Sequence, residues 1–286
     1  MKKTLLLASI AAGLLALTAA GQDEVTLRRE LKPGAKETYT VFTKVSQTMT
    51  PSDPNQAAML GGEMKFAMSM TMDMGLEFQK VAEDKKSADA EMSFTNIVYD
   101  FGSMAGMIPV ENMPKSMKAS GKIDDRSRMS EFNMPDLPSS LAGSRGMMGP
   151  LMIALPEKAV KVGDVWEMPL PTAEMLGSKD AMMTAKVLVI EDFKGIPVVV
   201  VELFAAMPID ADLSEMAQAS GGPPMKVLAK GRFDMKGKAH IERATGKTLM
   251  MDVTFDTKTH LTMPEVGIEF DTSGVGTSII ELVLPK

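Results

Sequence analysis

The sequence predicts a mainly β protein in which antiparallel meanders form two related modules, arranged as a curved sheet, a half-barrel or a sandwich, with one or two short helices. The main observation is a strict alternation of apolar and mostly polar residues over 63–79, which is typical of a strand that buries one face. Shorter alternations separated by polar turns recur along the rest of the chain. The apolar positions of the longest alternation are Met64, Phe66, Met68, Met70, Met72, Met74, Leu76 and Phe78.

The first half is predicted to form a hairpin flanked by less regular segments. We call the alternating segment 63–79 the methionine strand. A polar turn at 83–86 follows it, and the alternation resumes over 88–94. Because both strands alternate, their apolar residues can share one face of a sheet. A strand as long as the methionine strand is expected to bend near Gly75. The other elements predicted here are a strand over 36–49, a loop over 50–62, loops over 101–120 and short strand pieces over 121–134.

The second half is predicted to continue as strands joined by short turns. Residues 198–204 include apolar side chains on both sides of the strand, which predicts a central strand covered on both faces. The predicted strands are 182–192, 196–205, 225–235, 237–243, 247–263 and 275–284, with a helical turn over 213–219.

Three sequence landmarks of the first half recur in the same order in the second half. Residues 31–34 resemble 160–163, residues 83–86 resemble 191–194, and residues 121–123 resemble 237–239. Their unequal spacing indicates an internal repeat that has diverged. The predicted organisation is a signal peptide over 1–21, an N-terminal β-meander module over 22–135, a helical or loop connection over 136–155 and a C-terminal β-meander module over 156–286.

The first 21 residues are typical of a secretory signal peptide. Lys2 and Lys3 form a basic start, an apolar core follows over 5–17, and small residues follow at 18–21. No cysteine follows for lipid attachment, and no later segment is apolar for long enough to form a membrane helix. The sequence therefore predicts an exported protein, periplasmic or extracellular, that is not lipid-anchored.

Charge and cysteine content exclude several classes of function. The formal net charge is −6, and it becomes −8 once Lys2 and Lys3 leave with the signal peptide, because 29 basic residues then face 37 acidic ones. An acidic chain without a basic cluster is not expected to bind nucleic acid. The absence of cysteine removes both disulfide bonds and thiol catalysis.

One segment at the start of the second half is distinctive. Residues 155–166 contain a proline, a Lys-Val-Gly-Asp turn at 161–164 and Trp166. The segment resembles one found in an uncharacterised family of secreted bacterial β-rich domains, in which such a turn and an aromatic residue precede a long meander. The resemblance implies an envelope location and a β fold. The family has no assigned activity, so the resemblance implies no chemistry.

No group of residues predicts an enzyme or a cofactor. His240 and His260 fall on polar strand faces and lack the short spacing of a zinc pair, so both are expected to be solvated. The serines lack the motif of a nucleophile elbow. Adjacent carboxylates such as Asp124 and Asp125 are expected turn residues in an acidic chain. The sequence therefore predicts a protein that is not an enzyme and holds no cofactor.

The methionines are the remaining candidates for a function, since there are 29 of them beside one tryptophan and two tyrosines. Methionine is flexible and polarizable, so a methionine-lined sheet face adapts to ligands of different shape. We therefore expect a non-enzymatic binding module that presents this face to an apolar small molecule or lipid, or to an envelope protein partner. The candidate residues are Met64, Phe66, Met68, Met70, Met72, Met74, Phe78 and Trp166.

Two other interpretations of the same strand stay open. Thioether sulfur is a soft ligand that suits Cu(I), so the alternative function is a Met-rich copper-binding protein of the periplasm. Its ligands would be side chains that point the same way along the strand, namely Met68, Met70, Met72 and Met74. The face can also be closed core, packed against other strands and helices, in which case it lines no cavity.

Overall fold

The structure of the protein is a computed structural model that describes residues 24–102, 113–135, 152–170, 176–178, 180–219 and 224–284. The predicted signal peptide and most of the predicted connection over 136–155 lie outside these residues. The mainly β prediction is confirmed, since the described residues form a single eleven-stranded sheet with two short helices.

The strands and helices are numbered in chain order. The strands are β1 Lys36–Pro51, β2 Met64–Val81, β3 Ser87–Asp100, β4 Met117–Asp124, β5 Met129–Asn133, β6 Val165–Pro169, β7 Met182–Phe193, β8 Ile196–Asp212, β9 Leu228–Glu242, β10 Thr248–Met263 and β11 Ile268–Leu282. The helices are α1 Pro54–Leu60 and α2 Ser214–Ala219.

The sheet is two meanders joined side by side. Its strand order is β5-β4-β3-β2-β1-β11-β10-β9-β8-β7-β6, and every pairing is antiparallel. The pairing of β1 with β11 brings together strands from the two ends of the chain and makes one sheet of the two halves. The short strands β5 and β6 are its edges, so the sheet is not closed into a barrel. The predicted domain boundaries stay a prediction.

Several predicted elements differ in detail from those observed. The pieces predicted at 225–235 and 237–243 form one strand, β9, and β8 continues beyond its predicted end to Asp212. The β2 strand is continuous, and its pairing with β3 shifts register on both sides of Gly75, between Thr71 and Asp73 and between Phe78 and Lys80. The predicted helical turn over 213–219 is confirmed as α2.

Helix α1 lies in the segment that was predicted to be a loop. Asp53 is its N-cap and accepts a hydrogen bond from the Asn55 amide at 2.7 Å. Pro54 occupies the first turn, and Gly61 ends the helix in the left-handed conformation at φ 85°. These are the usual signals of a helix start and stop, so the sequence contained the information that the loop prediction overlooked.

The sheet has an apolar inner face and a polar outer face. Val41 pairs with Met72 on one side and with Ile280 on the other, and all three side chains are buried. We call the face of these three residues the inner face. Since side chains alternate along a strand, each neighbouring position in the register belongs to the outer face.

A segment before β1 crosses one end of the inner face. We call residues 24–31 the strap. The Arg29 amide donates to the Asp125 carbonyl at 2.7 Å, and the next amide, Glu30, donates to the Thr245 carbonyl at 2.8 Å. Asp125 follows β4 and Thr245 precedes β10, so the sheet must curl to bring these turns to adjacent residues of the strap. The strap also fills the space between them, since Leu27 is fully buried.

A second segment connects the two edges of the sheet at the same end. We call residues 152–164 the bridging segment. Its Leu155 amide donates to the Arg126 carbonyl after β4 at 2.8 Å, and its Gly163 amide donates to the Val187 carbonyl of β7 at 2.9 Å. Val160 forms an antiparallel bridge with Val25 of the strap. Strap and bridging segment therefore cover the same half of the inner face, which we call the covered half.

A buried charged cluster ties the strap to β1. The Arg29 guanidinium pairs with the Glu37 carboxylate, and their side chains are 1% and 4% exposed. The Tyr39 hydroxyl donates to Glu37 Oε2 at 2.7 Å, and the guanidinium carbon lies 5.6 Å from the Phe78 ring centroid. Burial raises the pKa of Tyr39 far above its ordinary value, so the phenol stays protonated and continues to donate. Lys247 Nζ approaches the other Glu37 oxygen at 3.7 Å.

A smaller apolar cluster covers part of the outer face. Val198, Val200 and Leu249 are buried there, so the predicted cover on both sides of β8 is confirmed over 198–201. At the other end of the predicted segment Phe204 is 52% exposed, so the prediction was wrong there. The His240 ring lies 4.3 Å from the Phe193 ring, centroid to centroid. His240 is therefore packed and half-buried, and the expectation that it is solvated was wrong. Desolvation lowers its pKa, against a smaller opposing effect of the Glu191 charge.

The first prediction concerns the charged cluster. Glu37→Gln should lower the free energy of unfolding by about 3–5 kcal/mol, because it leaves the Arg29 charge buried without a counter-ion. The matched control is Glu77→Gln in the surface pair with Lys36. There the Lys36 side chain is 71% exposed and the Glu77 side chain 32% exposed. That change should cost less than about 1 kcal/mol. Urea unfolding measures both values, and equal losses would contradict a special role for Glu37.

The second prediction concerns His240. Its pKa is lower in the folded protein than in the unfolded chain, so the unfolded chain takes up a proton first as the pH falls. Stability is therefore lost as the pH falls below the unfolded value of about 6.5. The melting temperature of the wild type should fall more between about pH 7 and about pH 5 than that of His240→Gln. Parallel curves for the two proteins would show that His240 makes no such contribution.

Candidate binding face

Burial divides the methionine strand into two parts. Met72 and Met74 are 3% exposed, Leu76 is 2% exposed and Phe78 is 1% exposed, so this part of β2 lies in the core. Met68, by contrast, is 39% exposed. The side chains of Met64, Phe66 and Met70 are half-buried. The part of the face from Met72 to Phe78 is therefore closed core, and the part from Met64 to Met70 borders solvent.

The half-buried part belongs to a wider surface, because each position has register partners on neighbouring strands. We call this surface the distal half of the inner face. On β2 and β1 its paired residues are Met64 with Met49, Phe66 with Gln47, Met68 with Val45 and Met70 with Thr43. On β11 and β10 they are Thr272 with Thr259, Gly274 with Thr257, Gly276 with Phe255 and Ser278 with Val253. The register of β1 with β11 aligns the two sets.

None of these sixteen described positions on β1, β2, β10 and β11 has a charged side chain. The charges of the same strand segments lie on the outer face, for example Lys44, Lys65, Asp256, Lys258 and Asp271. Charged residues make up 24% of the whole chain, so their absence from this surface reflects a strict separation of the two faces. An uncharged surface favours contact with an apolar molecule.

Two glycines shape the floor of the distal half. A Cβ atom at Gly276 would lie 2.1 Å from the Phe255 ring, so the ring packs directly over the glycine backbone. Phe255 also stacks with Phe233 of β9, with ring centroids 6.2 Å apart. The aromatic side chain covers backbone that a glycine leaves bare, and any larger residue at Gly276 would displace it.

The second glycine separates two polar side chains. Gly274 pairs with Gln47 on β1 and with Thr257 on β10. A Cβ atom at Gly274 would lie 2.7 Å from Thr257 Oγ1 and 3.9 Å from Gln47 Cγ. The distal half therefore contains an uncharged hydrogen-bonding spot beside its apolar side chains. Sequence reasoning missed Gln47, Thr257 and Phe255, because only the register places them beside the methionines.

The structure does not bring all eight predicted site residues together. Met64, Phe66, Met68 and Met70 lie in the distal half, whereas Met72, Met74 and Phe78 are core residues. Trp166 lies on edge strand β6, and its indole N–H donates to the Ala154 carbonyl of the bridging segment at 2.8 Å. The proposed copper set is divided as well, since two of its four sulfur atoms belong to the buried part of the strand.

A polar pocket of about 450 Å³ lies at the far end of the outer face. His260 is its most reactive group, and its Nδ1 lies 2.9 Å from an Asp271 oxygen while its Nε2 lies 3.5 Å from Glu269. Both ring nitrogens therefore face carboxylates, and Ser52 Oγ also contacts Asp271, at 3.2 Å. The arrangement does not form a nucleophile activated by histidine. Within the described residues no group of three or more His, Asp or Glu side chains is placed to hold a metal ion.

Solved structures that resemble this chain share little sequence with it. A BenF-like porin from Pseudomonas fluorescens Pf-5 is 8% identical over 89% of this chain and 100% of its own, with a TM-score of 0.28. A conserved protein of unknown function with a hot dog fold from Alicyclobacillus acidocaldarius is 11% identical over 85% of this chain and 80% of its own, with a TM-score of 0.13. Both TM-scores are too low to indicate a shared fold.

No protein-family model matches the sequence, and no curated protein matches it. Among the described residues, no helix is long and apolar enough to cross a membrane. The geometry of the distal half is therefore the basis for any proposal about function.

The third prediction tests the division of the methionine strand. Met72→Ala should lower the free energy of unfolding by about 2–5 kcal/mol, because it removes a buried side chain and leaves a cavity. Met68→Ala in the same strand should cost less than about 1 kcal/mol, because that side chain is already partly solvated. Urea unfolding of both variants checks the difference. Similar losses would show that the distal half is as closed as the core.

Proposed function

We propose that this is an exported, non-enzymatic binding protein whose distal half accepts a hydrophobic ligand. The observation that supports the proposal most directly is the uncharged distal half, in which Met68 is 39% exposed and the β1 and β2 side chains around it are half-buried. Contact between an apolar surface and water is unfavourable, and an apolar ligand would remove this surface from water.

The side chains of the distal half suit a ligand of variable shape. Methionine has three rotatable bonds and a polarizable sulfur, so Met64, Met68 and Met70 can adjust to different hydrocarbon chains. Each ligand methylene that leaves water contributes roughly 0.8 kcal/mol, so a chain of moderate length supplies useful affinity without any charged contact. Phe66 and Phe255 add rigid apolar area on either side.

Export is the part of the proposal that rests on sequence. The signal-like segment at 1–21 and the resemblance of residues 155–166 to secreted bacterial β-rich domains both favour an envelope protein. Hydrophobic molecules must cross an aqueous space there, which gives a binding protein without catalytic residues a clear use.

An envelope protein partner is the other occupant considered for the same surface. Native mass spectrometry of protein purified from its own envelope distinguishes the two, since a small ligand adds a discrete mass and a partner adds a polypeptide. Copper binding is not favoured by any observation on the described residues, because Met72 and Met74 lie in the core.

The fourth prediction tests the binding face directly. The uncharged fluorescent probe N-phenylnaphthylamine should bind the wild type, and Met68→Glu should weaken binding by at least about tenfold, because it places a charge on the apolar face. The control is Thr71→Glu, which changes an exposed position on the outer face of the same strand. The control should bind the probe as the wild type does. Equal affinities of all three proteins would exclude the distal half as the site.

A further inference from the structure

We infer that the ligand of the distal half is an uncharged single-chain amphiphile, such as a long-chain alcohol or a monoacylglycerol, and that fatty acid anions are discriminated against. The inference rests on the proposed function, because it specifies the ligand class of the same site. It follows from where the charges of the protein lie and from one polar side chain on the inner face.

An anionic group inside the distal half would meet no cationic side chain among the sixteen described positions that form it. The register positions of β1, β2, β10 and β11 that form this surface are all uncharged. Arg29 of the strap is 1% exposed and already neutralised by Glu37 in the covered half. A carboxylate or phosphate that leaves water without a counter-ion is strongly disfavoured, so such a group is rejected from the interior.

The rim of the distal half does not favour an anion either. The connections 52–63, between β1 and β2, and 264–267, between β10 and β11, lie at this end of the sheet. They contain Asp53, Glu63 and Glu265, and within these two described connections there is no lysine or arginine. Lys65, just inside β2, lies on the outer face and pairs with Glu63 at 2.9 Å. Lys226 also borders this end, since its amide donates to Glu265 at 3.1 Å, but the three acidic residues named here outnumber these two lysines. The rim therefore has no excess of positive charge to attract an anionic head group.

An uncharged polar group, by contrast, has a partner. Gln47 lies in the distal half between Phe66 and Gly274, and its amide both donates and accepts hydrogen bonds. The Thr257 hydroxyl lies over Gly274 and donates to the Gly274 carbonyl at 3.4 Å, so its oxygen is left as a hydrogen-bond acceptor. A hydroxyl or ester group suits this spot, because it needs hydrogen bonds and no counter-ion. The apolar tail then extends over Val45 and Met68, the next pair of opposite residues.

The test compares two ligands that differ only in their head group. Displacement of N-phenylnaphthylamine is measured with dodecanol and with dodecanoate at neutral pH, on the full mature chain. Wild type should bind dodecanol at least about tenfold more tightly than dodecanoate. Equal or tighter binding of dodecanoate would overturn the inference without contradicting the proposed function. If neither the probe nor dodecanol binds, the proposed function itself fails.

A pair of lysine variants locates the effect. Gln47→Lys places a cation on the inner face, and it should tighten dodecanoate binding by about tenfold. Ser46→Lys places the same charge one residue away on the outer face, and it should leave the ratio of the two affinities within about twofold. Equal effects of the two lysines would show that the discrimination arises from overall charge, which contradicts the inference.

A measurement on the wild type alone gives an independent check. Dodecanoic acid becomes uncharged when the pH falls below its own pKa, so its affinity for the protein should rise there by about tenfold while that of dodecanol stays constant. An affinity for dodecanoate that does not depend on pH would overturn the inference, even if Gln47→Lys fails to fold.

Discussion

The buried pair of Arg29 and Glu37 is the interaction on which the arrangement of this sheet depends. A single sheet of eleven strands leaves its inner face open unless something lies across it. The strap does so, and its position is set by one ion pair and by hydrogen bonds that the amides of residues 29 and 30 donate to carbonyls of two distant turns. Because a buried charge is costly without its partner, other positions of the strap are disfavoured. The pair therefore selects one curvature of the sheet.

Much of the fold could be predicted from the sequence, since alternation reports which face of a strand is buried. The hairpin of β2 and β3 was predicted on that basis and is confirmed, and the predicted cover on both sides of β8 is confirmed for residues 198–201. The pairing of β1 with β11 was not predicted, because contact between the two ends of a chain leaves no periodic trace. Gly237 also divided β9 in the prediction, although in the sheet it is only the position where Val253 of β10 comes close.

The candidate site was predicted in part. The alternation located the correct face of β2, but it could not show where along the strand the core ends, because burial depends on the strap. Gln47 and Phe255 were missed for a different reason, since they join the site only through the register of β1 and β10. Gly276 in the predicted strand 275–284, with Gly274 just before it, was the available signal of a close approach by another residue.

The composition of β2 explains why core and candidate site are difficult to separate by sequence. Methionine serves in both parts, and Met70 and Met72 are neighbours on one face with different exposure. What differs is what lies opposite them: the covered half contacts the strap and the bridging segment, whereas the distal half borders solvent at Met68. An apolar molecule in the distal half would thus continue the same core along the same strand. Its affinity would then depend on the match between the molecule and an uncharged surface, rather than on any single anchoring residue.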